Sequence, residues 1–418
     1  MKYLIENTFS ESLPISVLED DQFRLMLGIK DSDGKNVILI EFEDDHHFKF
    51  LVRNHVGYIN IEDNQYFIIP SLGEDFLKTL IPFSSGAFFN MFDGEGNTHI
   101  DIEVPGFGKG LVDSSPKKGF DESVGHSYIE LYEKKIQPDI RSGYLQTSVE
   151  SFRSAGRLNI EKSKMFLFYG GTAPVWDTFI WEQNISINAG IRATFEILVG
   201  TLDLQMSTKI RMQKIMEEVC PVPVKIAIDY DALISNLDRT SSHYREFFEL
   251  AKSFGNKEKD EKLSYTMLVP TKVLIQSACK NVIKKCISNK NYDLNLKFEK
   301  TINLIKGQDI HIAADITLLD KRGKCAFLGN VSAKENENLD LDLKDIFRIN
   351  TLMDAYKVKH AVLIYPSDSS SNKTYTLSWG RTVTIFKLDM LSTEGFVEGL
   401  YDILEKLYIR TNRKQEAI

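Results

Sequence analysis

The sequence predicts three consecutive parts: a β-rich amino-terminal domain over residues 1–135, a mostly helical middle region over 136–262, and an α/β domain over 263–418 with a mixed central sheet flanked by helices. Three observations lead there. The chain has 418 residues, more than one ordinary core, since domains commonly hold about 100 to 200. Apolar spacing changes twice along it, from alternation, to helical spacing, to a mixture of both. The charge also divides: residues 1–262 hold 28 Lys+Arg against 41 Asp+Glu, a net of −13, whereas residues 263–418 hold 23 against 18, a net of +5. The basic half is where a phosphate backbone would be met, and the overall −8 argues against a protein that coats nucleic acid.

Apolar residues at 43% and charged residues at 26% are globular values, which exclude disorder as the default state. No apolar run reaches the roughly 20 residues that cross a bilayer, and the start MKYLIENTFSES lacks the basic and apolar regions of a signal peptide, so a cytoplasmic protein without membrane contact is expected. Cys220, Cys279, Cys286 and Cys325 show no CxxC pairing, and the adjacent His46 and His47 sit in the acidic stretch EFEDDHHFKF, so buried or idle thiols are expected rather than zinc.

In the first part QFRLMLGI, NVILIEFE, HFKFLV, GYINIE and QYFIIP alternate or cluster apolar residues between Asp, Gly and Asn turns and predict short strands. From Ser84 to Gly119 the many glycines predict hairpins and loops. GFGKG at 106–110 is not a phosphate loop, because that loop needs Gly at 103, which is Glu, and Ser or Thr at 110, which is Gly. In the middle, AGIRATFEILVGTLDL, STKIRMQKIMEEV, DYDALISNL and SHYREFFELAKSF have helical spacing, and the charged run GNKEKDEK at 255–262 reads as a connection. Beyond it TKVLIQSACKNVIKKCI predicts a helix and NLKFEKTINLI a strand region. IHIAADITLL and KCAFLGNVSAK predict a hairpin turned at Asp320–Lys324. They are followed by a helix in DLKDIFRINTLMDAYK, strands in KHAVLIYP and TVTIFKLDM, and a last helix over Glu394–Tyr408. Trp176, Trp181 and Trp379 read as core or interface anchors.

The hairpin carries the chemistry. A metal-dependent phosphodiesterase needs carboxylates to hold Mg²⁺ and a lysine to position water, and residues two apart on a strand share a face. Asp315 in AAD stands on the first strand, with Ser332 and Lys334 of SAK on the second. This spacing resembles the catalytic hairpin of the PD-(D/E)xK nucleases, with Ser332 where that family carries Asp or Glu. The run DIFRINTLMDAYKVKHAVLIYP resembles the helix and strand that follow this hairpin in McrC proteins, keeping Asp345, Tyr356, Tyr365 and Pro366, with Arg348 where Lys or Gln is usual. MLVPTKVLIQSACKNVI is similar to their first nuclease helix, with Gln276 in place of a Glu. VGYINIEDNQYFIIPSLG is similar to an amino-terminal McrC pattern, with Ser71 in place of a Lys.

The resemblance implies a nuclease-fold subunit of a modification-dependent restriction or phage-defence system, acting on double-stranded DNA with an McrB-like AAA+ NTPase, often a GTPase, as partner, and with Mg²⁺ if active. Two accounts of the missing acid stand. A relocated carboxylate completes a metal site of Asp315 and Asp345 beside Lys334 and Ser332, with Glu335 and Asp342 as poorer substitutes for Asp345. Alternatively the fold has lost catalysis and serves as an adaptor that binds and stimulates the NTPase. Lys284 and Lys285 on the first helix, and Lys321 and Arg322 at the hairpin turn, are candidates for DNA contact; Lys280 and Lys324 lie in the same two clusters.

Overall fold

The computed structural model describes residues 2–19, 27, 30, 34–61, 64–84, 116–140, 143–182, 186–221, 228–239, 241–252, 267–290, 294–297, 302–303, 311–320, 323–336, 338–377 and 380–413. The segment QFRLMLGI apart from Leu27, the GFGKG turn, the GNKEKDEK run, Trp379, Lys321 and Arg322 lie outside the described residues.

The amino-terminal strands are β1 (Lys2–Ile5), β2 (Leu13–Pro14), β3 (Ile38–Phe42), β4 (His47–Val52), β5 (His55–Ile61) and β6 (Asn64–Ile69), followed by helix α1 (Glu74–Leu80). HFKFLV shows why these are strands: Phe48, Phe50 and Val52 are buried and alternate with more exposed neighbours, the period-two pattern of a half-covered sheet. Strands β2, β4 and β3 form one antiparallel sheet, and β1, β6 and β5 begin a second.

Helix α2 (Pro116–Leu131) corrects the expectation of loops as far as Gly119, since residues 116–119 open this helix. Its start signal is Pro116, whose fixed φ and missing N–H suit the first helical turn; Gly119 and Gly125 inside the helix hide it from a propensity reading. The middle region also differs from expectation, because its first part folds into the antiparallel sheet β7 (Gly143–Glu150), β8 (Arg157–Leu158) and β9 (Val175–Glu182) with helix α3 (Ile160–Phe168). The expected helices follow as α4 (Ser186–Thr201), α5 (Met206–Val219), α6 (Tyr230–Ser235) and α7 (Arg245–Lys252). Edge-to-face contacts of Tyr128 with Phe247 and of Tyr132 with Phe195 build the core of this unit.

Strand β10 (Met267–Pro270) leads into helix α8 (Thr271–Lys290), then β11 (Leu294–Lys297), β12 (Ile302–Asn303), β13 (His311–Ile312), β14 (Ile316–Asp320) and β15 (Cys325–Val331). Helix α9 (Leu343–Tyr356), β16 (His360–Ser367), β17 (Ser371–Leu377), β18 (Arg381–Asp389) and α10 (Thr393–Arg413) complete the chain. The six-stranded sheet runs β11-β14-β15-β16-β18-β17; β15, β16 and β18 are mutually parallel and the other pairings antiparallel, so the sheet is mixed. His360–Ser367 is buried almost throughout, as a central parallel strand covered on both faces must be. On α9, Ile349, Leu352, Met353 and Tyr356 form the buried stripe, Asp342 caps its start by accepting from Lys344 N (3.2 Å), and Lys357 in the left-handed region ends it.

By contacts residues 1–127 and 266–418 form one compact unit and 128–265 another. The join in the first is β10, which pairs antiparallel with β5 (Val269 opposite Val56), so the second amino-terminal sheet reads β1-β6-β5-β10. Glu6 sits at this join, 4% exposed, accepting from Thr271 Oγ1 (2.6 Å) and Ser71 N (3.3 Å). Burial raises its pKa above the ordinary carboxyl value, against the smaller lowering effect of those two bonds. A raised carboxyl pKa contributes stability that is complete below the unfolded value and lost as pH rises through the folded one. Glu6→Gln should therefore melt higher than the parent near neutral pH and converge with it below about pH 4, read by thermal melts across pH. A lower neutral-pH melting point would show that the accepted bonds outweigh burial.

No helix among the described residues is long and apolar enough to cross a membrane.

Candidate functional site

The hairpin turns as expected: Asp320 N donates to Lys324 O (2.9 Å) and Lys324 N to Asp320 Oδ1 (2.9 Å). Antiparallel pairing of β14 and β15 sets the start of one beside the end of the other, with Ile316 opposite Gly329. Asp315 immediately precedes β14 and so lies beside Asn330 and Val331. Strand β15 stops at Val331, and this corrects the expectation that Ser332 and Lys334 share a strand face. Ser332 N still donates to Ile364 O (2.9 Å), but Lys334 N donates to Ser332 Oγ (3.1 Å), and this local bond bends the chain away.

Asp315 is 7% exposed and crowded by donors. Its Oδ2 accepts from Val331 N at 2.8 Å and lies 3.4 Å from Lys272 Nζ. The second carboxylate oxygen, Oδ1, faces Arg348 Nη2 at 4.0 Å. With the Asn330 amide oriented so that both ends are satisfied, its Nδ2 donates to Asp315 Oδ2 (3.1 Å) and its Oδ1 accepts from Arg348 Nε (3.1 Å). A buried carboxylate needs compensating charge, and here two cations and two N–H donors supply it. Its field reaches α8: burial first, then Asp315, push the Cys279 thiol well above its usual range.

In front of this cluster opens a cavity of about 670 Å³ whose wall includes Lys272, Asn330, Ser332, Lys334, Asp345 and Arg348. The structure thus brings Ser332, Lys334 and Asp345 to one cavity, with Glu335 and Asp342 also on its wall and Asp315 behind Asn330 and the two cations. Asp345, in the first turn of α9, accepts a hydrogen bond from the Tyr365 hydroxyl, which burial and then this carboxylate hold above its ordinary pKa. Tyr356 packs in the hydrophobic core behind the site and accepts from Ala314 N (3.5 Å). Lys284 and Lys285 lie elsewhere: they follow Lys272 on α8 by more than three turns, about 18 Å along its axis, and Lys285 sits over the Phe83 ring. Lys272 and Asn330 escape a sequence reading. The available signal for Lys272 was its place one helical turn before Gln276, on the same face of α8.

The side chains present do not fit Mg²⁺. A hard cation asks for several oxygen ligands, mostly carboxylate. Asp315 already faces Lys272 and Arg348, Ser332 is neutral, and Asp345 is tied to Tyr365. Among the described residues no three His, Cys, Asp or Glu side chains come together as a metal-binding group.

No family model matches the sequence, and no curated protein matches it. Among solved structures, a chain of the half-complex from a tetradecameric assembly of Thermococcus gammatolerans McrB AAA+ hexamers with bound McrC is similar at TM-score 0.50 and 11% identity, over 96% of this chain and 99% of that one. The two chains share a fold. A chain of the Thermococcus gammatolerans McrBC complex matches over 68% of this chain and 88% of that one, at 13% identity and TM-score 0.37.

Proposed function

We propose that this chain is an McrC-like subunit of a restriction or phage-defence system that works with an McrB-like AAA+ NTPase, and that its PD-(D/E)xK-type domain serves as an adaptor rather than a metal-dependent nuclease. The fold shared over nearly the whole length of both chains supports the first part. The chain has no phosphate-loop motif of its own, so NTP hydrolysis falls to the partner. The observation that carries the second part is the pairing of Asp315 with Lys272 and Arg348, where a nuclease of that fold would hold its metal.

The surface for the partner is proposed to lie within residues 149–179. Nine of the eighteen large apolar side chains exposed among the described residues fall within 149–179, including Phe152, Phe168, Tyr169 and Phe179. Exposed apolar side chains so dense along one segment suit a surface that an assembly covers, and the proposed occupant is the AAA+ ring.

The test is GTP hydrolysis by the cognate NTPase and cleavage of plasmid DNA, with and without this chain, in Mg²⁺ and Mn²⁺. Stimulated hydrolysis without cutting, unchanged by Asp315→Ala, is expected. Cutting that both Asp315→Ala and Lys334→Ala abolish would overturn the adaptor reading. It would favour the second one, a nuclease with a relocated acid, for which the specific observation is that Asp345 and Lys334 share a cavity; Asp345→Ala would then also be inactive.

A further inference from the structure

We infer that the connection between β15 and α9 is a latch, held shut on the cavity by side chains of the edge strand β17 and able to open as a unit while the sheet stays folded. This goes beyond the proposed function and holds under either reading of the site. Among the described residues the connection supplies nine of the cavity's twenty-one lining residues, from Ser332 to Asp342, more than any other segment, so its position sets the shape of the cavity. Strand β16 explains why the chain leaves the sheet here. Ile364 O accepts from Ser332 N, and the next residue of β16 that faces β15 is Pro366, which has no N–H to give to Ser332 O, so the ladder loses a rung. The chain then folds on itself: the Asn336 side chain donates to Asp340 O (2.8 Å) and accepts from Asp340 N (3.1 Å). This turn holds Leu339 at φ 54°, in the left-handed region where its Cβ crowds the following carbonyl oxygen, so the closed form is strained. The compensation comes from outside the turn. Tyr375 Oη donates to Leu339 O (2.7 Å), Lys373 Nζ lies 3.6 Å from Asp340 Oδ1, and Leu339 and Tyr375 pack against the same buried cluster. Lys373 and Tyr375 stand two apart on β17 and therefore on one face of it. The open form has its own acceptor: the Pro366 carbonyl points to the β15 side, and lengthening β15 in register to residue 334 would bring it Lys334 N, which in the closed form donates to Ser332 Oγ (3.1 Å). A strained form clasped by two side chains, with a second acceptor for the released chain, is a two-state element, and it links the outer edge of the sheet to the cavity.

The measurement is hydrogen–deuterium exchange of the full chain, followed in peptides that cover the connection, strand β16 and strand β18. For Tyr375→Phe, which removes only the hydroxyl, the connection should exchange roughly fivefold faster, as the loss of one hydrogen bond gives, while both strand peptides keep the rates of the parent. Lys373→Gln tests the other half of the clasp at a half-exposed side chain whose replacement leaves the core untouched. Raising the salt from about 0.05 to about 0.5 M should speed exchange of the connection in the parent, because the ion pair with Asp340 is screened, and should change it little in Lys373→Gln, which has no such pair to lose. Exchange of the connection at the parent rate in both variants would show that β17 does not hold it. Faster exchange spread evenly over all three peptides would show that the sheet loosens as a whole. Either result overturns the latch.

Discussion

A chain carrying Lys272→Ala, Arg348→Ala and Ser332→Asp together should melt at a temperature that rises with added Mn²⁺, whereas the melting of the parent should not respond. On the reading proposed above, the two cations facing Asp315 take the electrostatic place of a metal. Taking both away leaves Asp315, 7% exposed, as a carboxylate without a counter-charge. Breaking a buried ion pair costs about 3–5 kcal/mol, but Lys272 and Arg348 are 33% and 48% exposed, and solvent screening brings the expected loss to roughly 1–3 kcal/mol in EDTA. A second acid at position 332, on the cavity wall, then gives a divalent ion two oxygen ligands in place of one. An ion that binds only the folded chain returns about 2.7 kcal/mol when present at a hundred times its Kd. Ser332→Asp alone is the control, and it should stay indifferent to Mn²⁺ because the cations still hold the site. A metal response in that single variant, or none in the triple one, would defeat the stand-in account.

The second large effect concerns the proposed AAA+ partner. Phe168→Asp with Phe179→Asp should remove most of the stimulation of GTP hydrolysis, by tenfold or more on the order of a lost interface hot spot, while leaving the melting temperature near that of the parent. Phe168 is 85% exposed and Phe179 64%, so neither contributes to the core, and a charge there costs the isolated chain little. In a desolvated interface the same charge is left unpaired. Stimulation that survives the pair of substitutions would place the NTPase contact elsewhere.

Much of the carboxy-terminal domain could be read from residues because its elements carry their pattern locally. KHAVLIYP and TVTIFKLDM are apolar runs of strand length, and the stripe of α9 repeats at three and four. Strand β17 escaped notice for the converse reason: SNKTYTL lies on the exposed edge, so burial imposes no apolar alternation on it. Strand β10 could not be assigned because four residues, MLVP, owe their conformation to β5 some two hundred positions away. The site divides along the same line. Asp315, Ser332 and Lys334 were visible because a hairpin fixes their spacing, and Asp345 because it opens a helix. What holds Asp315 was not visible. Lys272 comes from α8 and Arg348 from α9, and only the tertiary fold brings the two to one carboxylate.

The pairing of β10 with β5 also governs the order in which a nascent chain can finish folding. While the ribosome is still making the middle region, β1, β6 and β5 can associate, but β5 presents an open edge of unpaired backbone groups until Met267–Pro270 emerges. Pairings so distant in sequence close slowly, and an apolar strand edge is sticky throughout that interval. Chaperone demand and loss to aggregation during synthesis should therefore be set by how fast the ribosome traverses residues 70 to 267, so that rare codons in this stretch, far from the site, would lower the yield of native protein.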